Sequence, residues 1–296
     1  MDAVVVVGHG SRDPEGNEEI RQFVQSMKSQ LGVPIVETCF LEFERPTVKD
    51  GLEASVAKGA TRVIVIPLML FSAGHAKIHI PAELDEIREK YPQVEFIYGR
   101  PIGIHHQVLE ILTSRLAQLG LDPQEEQRDT AVLVIGRGSS DHDANSDLFK
   151  MSRLFWERLK VGTVETAFMG VTQPLVDGGI DRCVRLGAKK VIIMPYFLFT
   201  GILIKRMEAM VKDFQAVYPG VEFQMTEYFG FHPLLAEVVK DRVKEALADE
   251  VKMNCDTCVY RLEAMEHHGH HHHHHHDHDH DHSHHHDHDH EHKVGV

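Results

Sequence analysis

The residues best suited to chemistry in this chain are two histidines and a glutamate, each placed shortly after an apolar segment. His9 follows the run Val4–Val7, and Glu42 and His75 follow two further apolar runs. Neutral imidazole nitrogen and carboxylate oxygen bind divalent ions such as Co²⁺, Fe²⁺, Ni²⁺ and Zn²⁺. Histidine also accepts protons near neutral pH. The pattern predicts a site that holds a divalent metal and takes up protons from a substrate.

The chain contains two copies of one sequence pattern, offset by 128 residues. Val36-Glu37-Thr38 recurs as Val164-Glu165-Thr166, and Val63–Pro67 recurs as Val191–Pro195. Near the end of the repeat the offset changes to 127. A register held over this length indicates two copies of one domain.

The three candidate ligands are lost together in the second copy. Arg137, Gly170 and Leu203 stand where the first copy has His9, Glu42 and His75. Ordinary loop histidines would not account for this coordinated loss. We therefore expect the first half to carry the chemistry and the second to supply shape and charge. His105 has a counterpart in His232, which favours a structural role for both.

Each copy alternates short β-branched apolar runs with amphipathic segments, a pattern typical of parallel sheets flanked by helices. The predicted fold class is therefore α/β, with two duplicated Rossmann-like domains. In the first copy, strands are predicted at 4–7, 35–41, 63–70 and 94–98, and helices at 17–31, 47–58, 81–90 and 105–119. The predicted divisions are a ligand-bearing domain at 1–124, its duplicate at 129–249, a cysteine-containing segment at 250–266 and a disordered tail at 267–296. A polar stretch at 121–130 is predicted to link the domains.

In open α/β sheets, ligands bind beyond the carboxyl ends of the strands. The candidate ligands all fall at such ends, so the topology predicts that they converge. The run Gly8–Asp13 lacks the third glycine of the Gly-x-Gly-x-x-Gly pattern, since position 13 is aspartate. A dinucleotide enzyme is therefore disfavoured.

Composition narrows the classes of protein further. The 296 residues carry a net charge of −14, of which −5 lies in residues 267–296. Such an acidic chain lacks the broad basic face that nucleic acids and anionic lipids require. No apolar run approaches the roughly 20 residues that span a bilayer. The start of the chain does not resemble a signal peptide, so a cytoplasmic location is expected.

Three segments resemble the sirohydrochlorin chelatases: Gly8–Arg12, Phe40–Glu42 and Pro67–His75. With the tail, the chain resembles the long form of the cobaltochelatases of anaerobic cobalamin biosynthesis. This resemblance implies a class II chelatase that inserts Co²⁺ into sirohydrochlorin without ATP or other subunits. It implies that His9 is the proton acceptor and a metal contact, His75 the second metal ligand, and Glu42 a carboxylate beside the metal.

The resemblance also implies that the loop before His75 lines the tetrapyrrole. The predicted substrate-binding residues are Ser11, Arg12, Arg45, Leu70, Phe71, Ser72, Ala73 and Gly74. Because sirohydrochlorin carries many carboxylates, cations are expected around the cleft. The candidates are Arg12, Arg45, Lys77, Arg137, Lys205 and Arg206. Family members often have an acid four residues after the second histidine, where this chain has His79, so the role of His79 stays open.

Cys255 and Cys258 form a Met-x-Cys-x-x-Cys motif outside both domains. Zinc, an iron–sulfur cluster and a redox dithiol all fit the pair itself. Two thiolates fill only half of the positions of a [4Fe–4S] cluster or a closed zinc site. The resemblance implies a [4Fe–4S] cluster, and a homodimer sharing one cluster would complete it.

The segment 267–292 holds 18 of the 25 histidines, many alternating with aspartate. This interleaving and the final Lys293–Val296 favour a native segment over a purification tag. The composition is typical of a disordered metal-binding tail, which we interpret as a store or delivery arm for Co²⁺ or Ni²⁺.

Two other functions fit the sequence. One is the same reaction with Fe²⁺, which gives siroheme, or with Ni²⁺, since a histidine–carboxylate site accepts several divalent ions. The other is a metal storage or sensing protein in which the histidine tail is the active part. The loss of ligands in one copy speaks against the second alternative, because a scaffold needs no asymmetric cleft.

Overall fold

The computed structural model describes residues 1–248, apart from the side chain of His75. The predictions for Cys255, Cys258 and the tail at 267–296 lie outside the described residues. Two four-stranded parallel sheets make up the structure, with strand orders β2-β1-β3-β4 and β6-β5-β7-β8. The prediction of two duplicated α/β units with parallel sheets is confirmed.

The elements alternate strictly along the chain. The first sheet and its helices are β1 (Asp2–Gly8), α1 (Pro14–Met27), β2 (Ile35–Phe40), α2 (Val48–Ala57), β3 (Arg62–Leu68), α3 (Ile80–Lys90), β4 (Glu95–Tyr98) and α4 (His106–Gln118). The second set is β5 (Gln127–Gly136), α5 (His142–Trp156), β6 (Val161–Phe168), α6 (Val176–Arg185), β7 (Lys190–Pro195), α7 (Ile202–Val217), β8 (Glu222–Met225) and α8 (Pro233–Leu247). A 3₁₀ turn at Lys28–Gln30 follows α1, and a π-helical turn at His75–His79 precedes α3. No helix within residues 1–248 is both long and apolar enough to cross a bilayer.

The central strands are apolar throughout because both faces of each sheet are covered. Residues 3–7 of β1 are fully buried between β2 and β3. One hydrophobic core contains side chains from both halves, including Val108 and Leu112 of α4 and Val238 and Val239 of α8. The two repeats are therefore packed on a shared core, with α4 and α8 between the sheets.

Most element boundaries lie within a few residues of the sequence predictions, and two of the differences have a clear cause. Helix α1 begins at Pro14 instead of residue 17, because Asp13 accepts a hydrogen bond from the backbone of Glu15 as an N-cap. The prediction of a linker at 121–130 is wrong for the last four of these residues. They belong to β5, whose first residue pairs with Val161 of β6.

The turn that follows the predicted tetrapyrrole loop bears on His79, whose role the sequence left open. On an α-helix His79, four residues after His75, would share its face. The backbone at His75–His79 is instead π-helical, so the i,i+4 spacing of an α-helix does not apply there.

His105 and His232 are structural residues, as their repetition indicated. The Nδ1 atom of His105 accepts a hydrogen bond from the Gln107 backbone N–H, and that of His232 accepts one from Leu234, both at 3.2 Å. Each ring therefore caps the helix that follows it. The Nε2 atom of His232 lies 2.9 Å from the Ser114 hydroxyl, so this cap also joins α8 to α4.

Candidate active site

The site is built where the loops after β1 and β2 lie against each other. The Leu41 backbone N–H donates to Gly8 O at 3.0 Å, and the Glu42 N–H donates to His9 O at 3.1 Å. Gly10 has a φ of 87°, and a Cβ there would lie 1.7 Å from the Glu42 carbonyl oxygen. Only glycine permits this approach. The two loops are thereby held side by side, and the His9 and Glu42 side chains meet.

The hydrogen-bond partners of His9 determine which ring nitrogen carries a lone pair. Nδ1 lies 3.0 Å from the Gly10 carbonyl oxygen, which can only accept. Nε2 lies 3.2 Å from Nη1 of Arg137, which can only donate. The neutral tautomer that satisfies both has its proton on Nδ1. Nε2 then carries the lone pair, which accepts from Arg137 in this structure and is the atom that would bind a metal or take a proton.

Glu42 lies beside that lone pair. Its Oε1 atom is 3.4 Å from His9 Nε2, and both side chains are partly exposed. A carboxylate at this distance stabilises an imidazolium if Nε2 becomes protonated, and it offers a second oxygen donor to a cation. His9 and Glu42, predicted as ligands from separate strands, are brought together by the fold.

The third predicted ligand, His75, occupies the start of the π-helical turn that follows the loop after β3. The backbone topology places this loop at the same sheet edge as His9 and Glu42, because β3 lies parallel to β1. Its side chain is outside the described part of the structure. The role of His75 as a metal ligand therefore stays a prediction.

A cleft of about 810 Å³ opens over His9 and is lined by both repeats. Of the predicted substrate-binding residues, Ser11, Arg12, Leu70, Phe71, Ala73 and Gly74 line it. Ser72 and Arg45 lie outside the lining. Arg45 is directed elsewhere because its guanidinium pairs with Asp50 of α2 at 3.2 Å.

Two of the cationic residues predicted to surround the substrate instead form ion pairs between the repeats. Lys77 Nζ lies 2.7 Å from Asp141, and Lys205 Nζ lies 2.7 Å from Asp13. The two pairs are related by the 128-residue offset. The hydrogen bonds from the lysines lower the pKa values of both aspartates below the usual range. Lys77 and Lys205, like Arg206, are not among the residues that line the cleft.

Arg137 is the cation that the second repeat does contribute. It occupies the position equivalent to His9, lines the cleft and contacts His9 directly. Because the second copy has an arginine where the first has His9, a permanent positive charge lies beside His9. This charge suits an acidic substrate.

Sequence reasoning missed several residues of the cleft wall. Tyr196 is buried and stacks on Phe71 with ring centroids 5.4 Å apart and planes inclined by 2°. Phe43 and Val171 also line the cleft. The repeat offset, applied to the loops after β2 and β6, would have identified the last two as a matched pair.

Comparison with known proteins agrees with this arrangement. The CbiX family model matches the chain twice, over residues 3–119 and 131–246. The chain is 60% identical to the sirohydrochlorin cobaltochelatase of Priestia megaterium, over 90% of this chain and 87% of that one. It is 36% identical to the sirohydrochlorin ferrochelatase of Bacillus subtilis, over 83% and 92% of the two chains.

Solved structures show the same architecture. The sirohydrochlorin chelatase SirB from Bacillus subtilis subspecies spizizenii, in complex with cobalt, superimposes with a TM-score of 0.70 at 31% identity, covering 84% of this chain and 96% of SirB. SirB from Bacillus subtilis with Fe³⁺ gives a TM-score of 0.74 at 34% identity, with the same coverage. The fold, the duplicated match and the close relatives define a chelatase-type protein. The chain belongs to the CbiX family.

Proposed function

We propose that this chain is an ATP-independent class II chelatase, a lyase that inserts Co²⁺ into sirohydrochlorin to form cobalt-sirohydrochlorin in anaerobic cobalamin biosynthesis. The observation that carries the proposal is the pairing of Glu42 at 3.4 Å with Nε2 of His9, a residue that lines a cleft built by both repeats. The identity of 60% to a cobaltochelatase supports cobalt as the metal. A cytoplasmic location, expected from the sequence, remains part of the proposal.

Metal insertion replaces two pyrrole N–H protons by one divalent cation, so two protons leave the ring for each ion that enters. The lone pair on His9 Nε2 takes a proton from a pyrrole nitrogen or holds the incoming ion. Glu42 balances the positive charge that develops at the imidazole or accepts the second proton. His75 is proposed as the further ligand that holds the metal before transfer.

The acidic rim of the macrocycle needs cationic partners. Arg12 and Arg137 line the cleft, and a guanidinium can donate two parallel hydrogen bonds to a carboxylate. Lys77 and Lys205 are already paired with Asp141 and Asp13, so we assign the two arginines the larger part in carboxylate binding.

The alternative within this class is insertion of Fe²⁺ or Ni²⁺, since one histidine–carboxylate pair accepts several ions. Anaerobic absorbance assays with sirohydrochlorin and each metal test the proposal. We expect conversion well above the spontaneous rate, with Co²⁺ preferred. A preference for Fe²⁺ would favour siroheme synthesis. No conversion with any of the three metals would overturn the proposal and favour a metal storage or sensing protein.

We infer that the histidine-rich segment 267–292 is a store or delivery arm for Co²⁺ or Ni²⁺, separate from catalysis. Eighteen histidines interleaved with acids supply many imidazole and carboxylate donors. Deleting residues 267–296 should leave kcat at saturating Co²⁺ within about twofold of the full chain, while removing several bound ions per chain in equilibrium dialysis. A large loss of kcat at saturating metal would contradict this role.

We further propose a [4Fe–4S] cluster at Cys255 and Cys258. The donor set fits in part, because two thiolates supply half of the four that such a cluster takes. A homodimer that shares one cluster supplies the rest. We expect anaerobically purified protein to contain four iron atoms per two chains and to elute as a dimer, and Cys255→Ser to lose both properties. A cluster-loaded monomer would contradict the shared arrangement.

A further inference from the structure

Two residues with exposed apolar side chains in the cleft adopt unfavourable backbone conformations. Phe43 has a φ of 62° and Val171 a φ of 68°, and these are the non-glycine residues with positive φ in the part of the chain that the structure describes. Positive φ is uncommon for bulky residues and a genuine outlier for a β-branched residue such as valine. Their side chains are 54% and 72% exposed, so packing in the core does not explain them.

The two residues occupy equivalent positions, 128 residues apart, in loops that are held in the same way. A Cβ on Gly10 would meet the carbonyl oxygen of Glu42, which directly precedes Phe43. In the second repeat, a Cβ on Gly138 would lie 2.0 Å from the carbonyl oxygen of Gly170, which directly precedes Val171. The close loop contact fixes the backbone in each case. It does not require the apolar side chain, since glycine would suit the same φ better.

The contact between His9 and Arg137 shows where these side chains lie relative to the metal-handling residues. The ion pairs Lys77–Asp141 and Lys205–Asp13 are reciprocal, as expected for two repeats in an approximate two-fold relation. His9 and Arg137 are equivalent residues whose side chains lie 3.2 Å apart, so they lie close to the axis of that relation. Phe43 and Val171, being equivalent and both on the cleft wall, must then lie on opposite sides of that axis. A ring placed over His9 and Glu42 would have one of these side chains on each side.

We propose that Phe43 and Val171 are positioning residues that hold the tetrapyrrole from two sides over His9 and Glu42. This inference rests on the proposed function. A tetrapyrrole has a flat apolar centre and an acidic rim, which matches exposed apolar side chains accompanied by a cation. The guanidinium of Arg12 lies over the Phe43 ring, 4.9 Å from its centroid, and is placed to meet a carboxylate at the rim.

Glycine substitutions test the inference without endangering the fold. Phe43→Gly, Val171→Gly and the double variant remove the side chains and relieve the backbone strain, so the melting temperature should stay equal or rise. The Kd for metal-free sirohydrochlorin, measured from its absorbance, should rise about tenfold for Phe43→Gly and more for the double variant. KM should rise in parallel with a smaller change in kcat, and the Kd for Co²⁺ measured by calorimetry should stay unchanged.

Two controls separate positioning from a general effect. Phe43→Tyr keeps the aromatic ring and should retain wild-type affinity. Leu186→Ala removes a side chain that is 64% exposed but outside the cleft lining, and it should change no constant. An unchanged sirohydrochlorin Kd and KM in the double glycine variant would overturn the inference and leave the proposed function intact. Failure of the wild-type chain to bind or convert sirohydrochlorin would overturn the proposed function itself, and with it this inference.

Discussion

Replacing His9 by alanine is expected to lower kcat for Co²⁺ insertion by about 10²–10⁴-fold, the range that a positioned general base supplies. The Nε2 atom carries the lone pair at the centre of the site, between Glu42 and Arg137. In the variant Glu42 remains, but it lacks the imidazole that passes a proton or holds the ion. Anaerobic absorbance kinetics at saturating Co²⁺ and sirohydrochlorin measure the effect.

His142→Ala is the matched control for this prediction. His142 is an exposed histidine at the first residue of α5 and is not among the residues that line the cleft, so its loss should leave kcat unchanged. Sirohydrochlorin binding should survive in the His9 variant, because the walls of the cleft are intact. A His9→Ala protein that keeps more than about a tenth of wild-type kcat would show that proton transfer does not depend on this residue.

Replacing Arg242 by methionine is expected to lower the free energy of unfolding by about 3–5 kcal/mol, because the buried Glu245 carboxylate loses one of its two guanidinium partners and keeps only the partly exposed Arg100 at 3.0 Å. Arg242 is 2% exposed. Its guanidinium donates to the carbonyl oxygens of Pro101 at 2.8 Å and Ile102 at 2.6 Å, and to the carboxylate of Glu245 at 2.7 Å. The substitution removes a link from α8 to the first repeat, and urea denaturation measures the resulting loss of stability.

Arg115 provides an internal control because it is the equivalent residue in the first repeat. It donates to the Phe229 carbonyl oxygen at 2.7 Å and to Glu227 at 3.1 Å. The side chain of Glu227 is 74% exposed, whereas that of Glu245 is 5% exposed. Water can therefore take the place of the arginine at Glu227 but not at Glu245. Arg115→Met should therefore cost about 1–3 kcal/mol. Equal losses for the two variants would show that burial of the carboxylate does not set the cost.

The local alternation of the chain made the fold predictable. Strand β1 contains a continuous run of valines because it is covered on both faces, and this pattern can be recognised in the sequence without any tertiary information. The repeat offset then identified the half that carries His9 and Glu42. Rules for parallel sheets placed both residues at one edge, where the structure finds them 3.4 Å apart.

Boundaries were less predictable where a contact between segments decides them. The last residues of the predicted linker became the start of β5 because Gln127 pairs with Val161 of β6 and Thr130 pairs with Lys190 of β7, strands that begin more than thirty residues later. The π-helical turn at His75–His79 likewise has no periodic signature in the sequence, so α-helical spacing could not decide which way His79 faces.

The sequence by itself determined the duplicated α/β architecture, the sheet edge that holds the site and the residues of the first repeat that could bind a metal. The packing of the two repeats decided the rest. It placed Arg137 against His9, directed Lys77 and Lys205 into ion pairs with the opposite repeat, and exposed Phe43 and Val171 in the cleft. The physical reason is that periodicity and composition report on each segment and its own sheet. Contacts across the axis between the repeats depend on how the shared core brings two surfaces together.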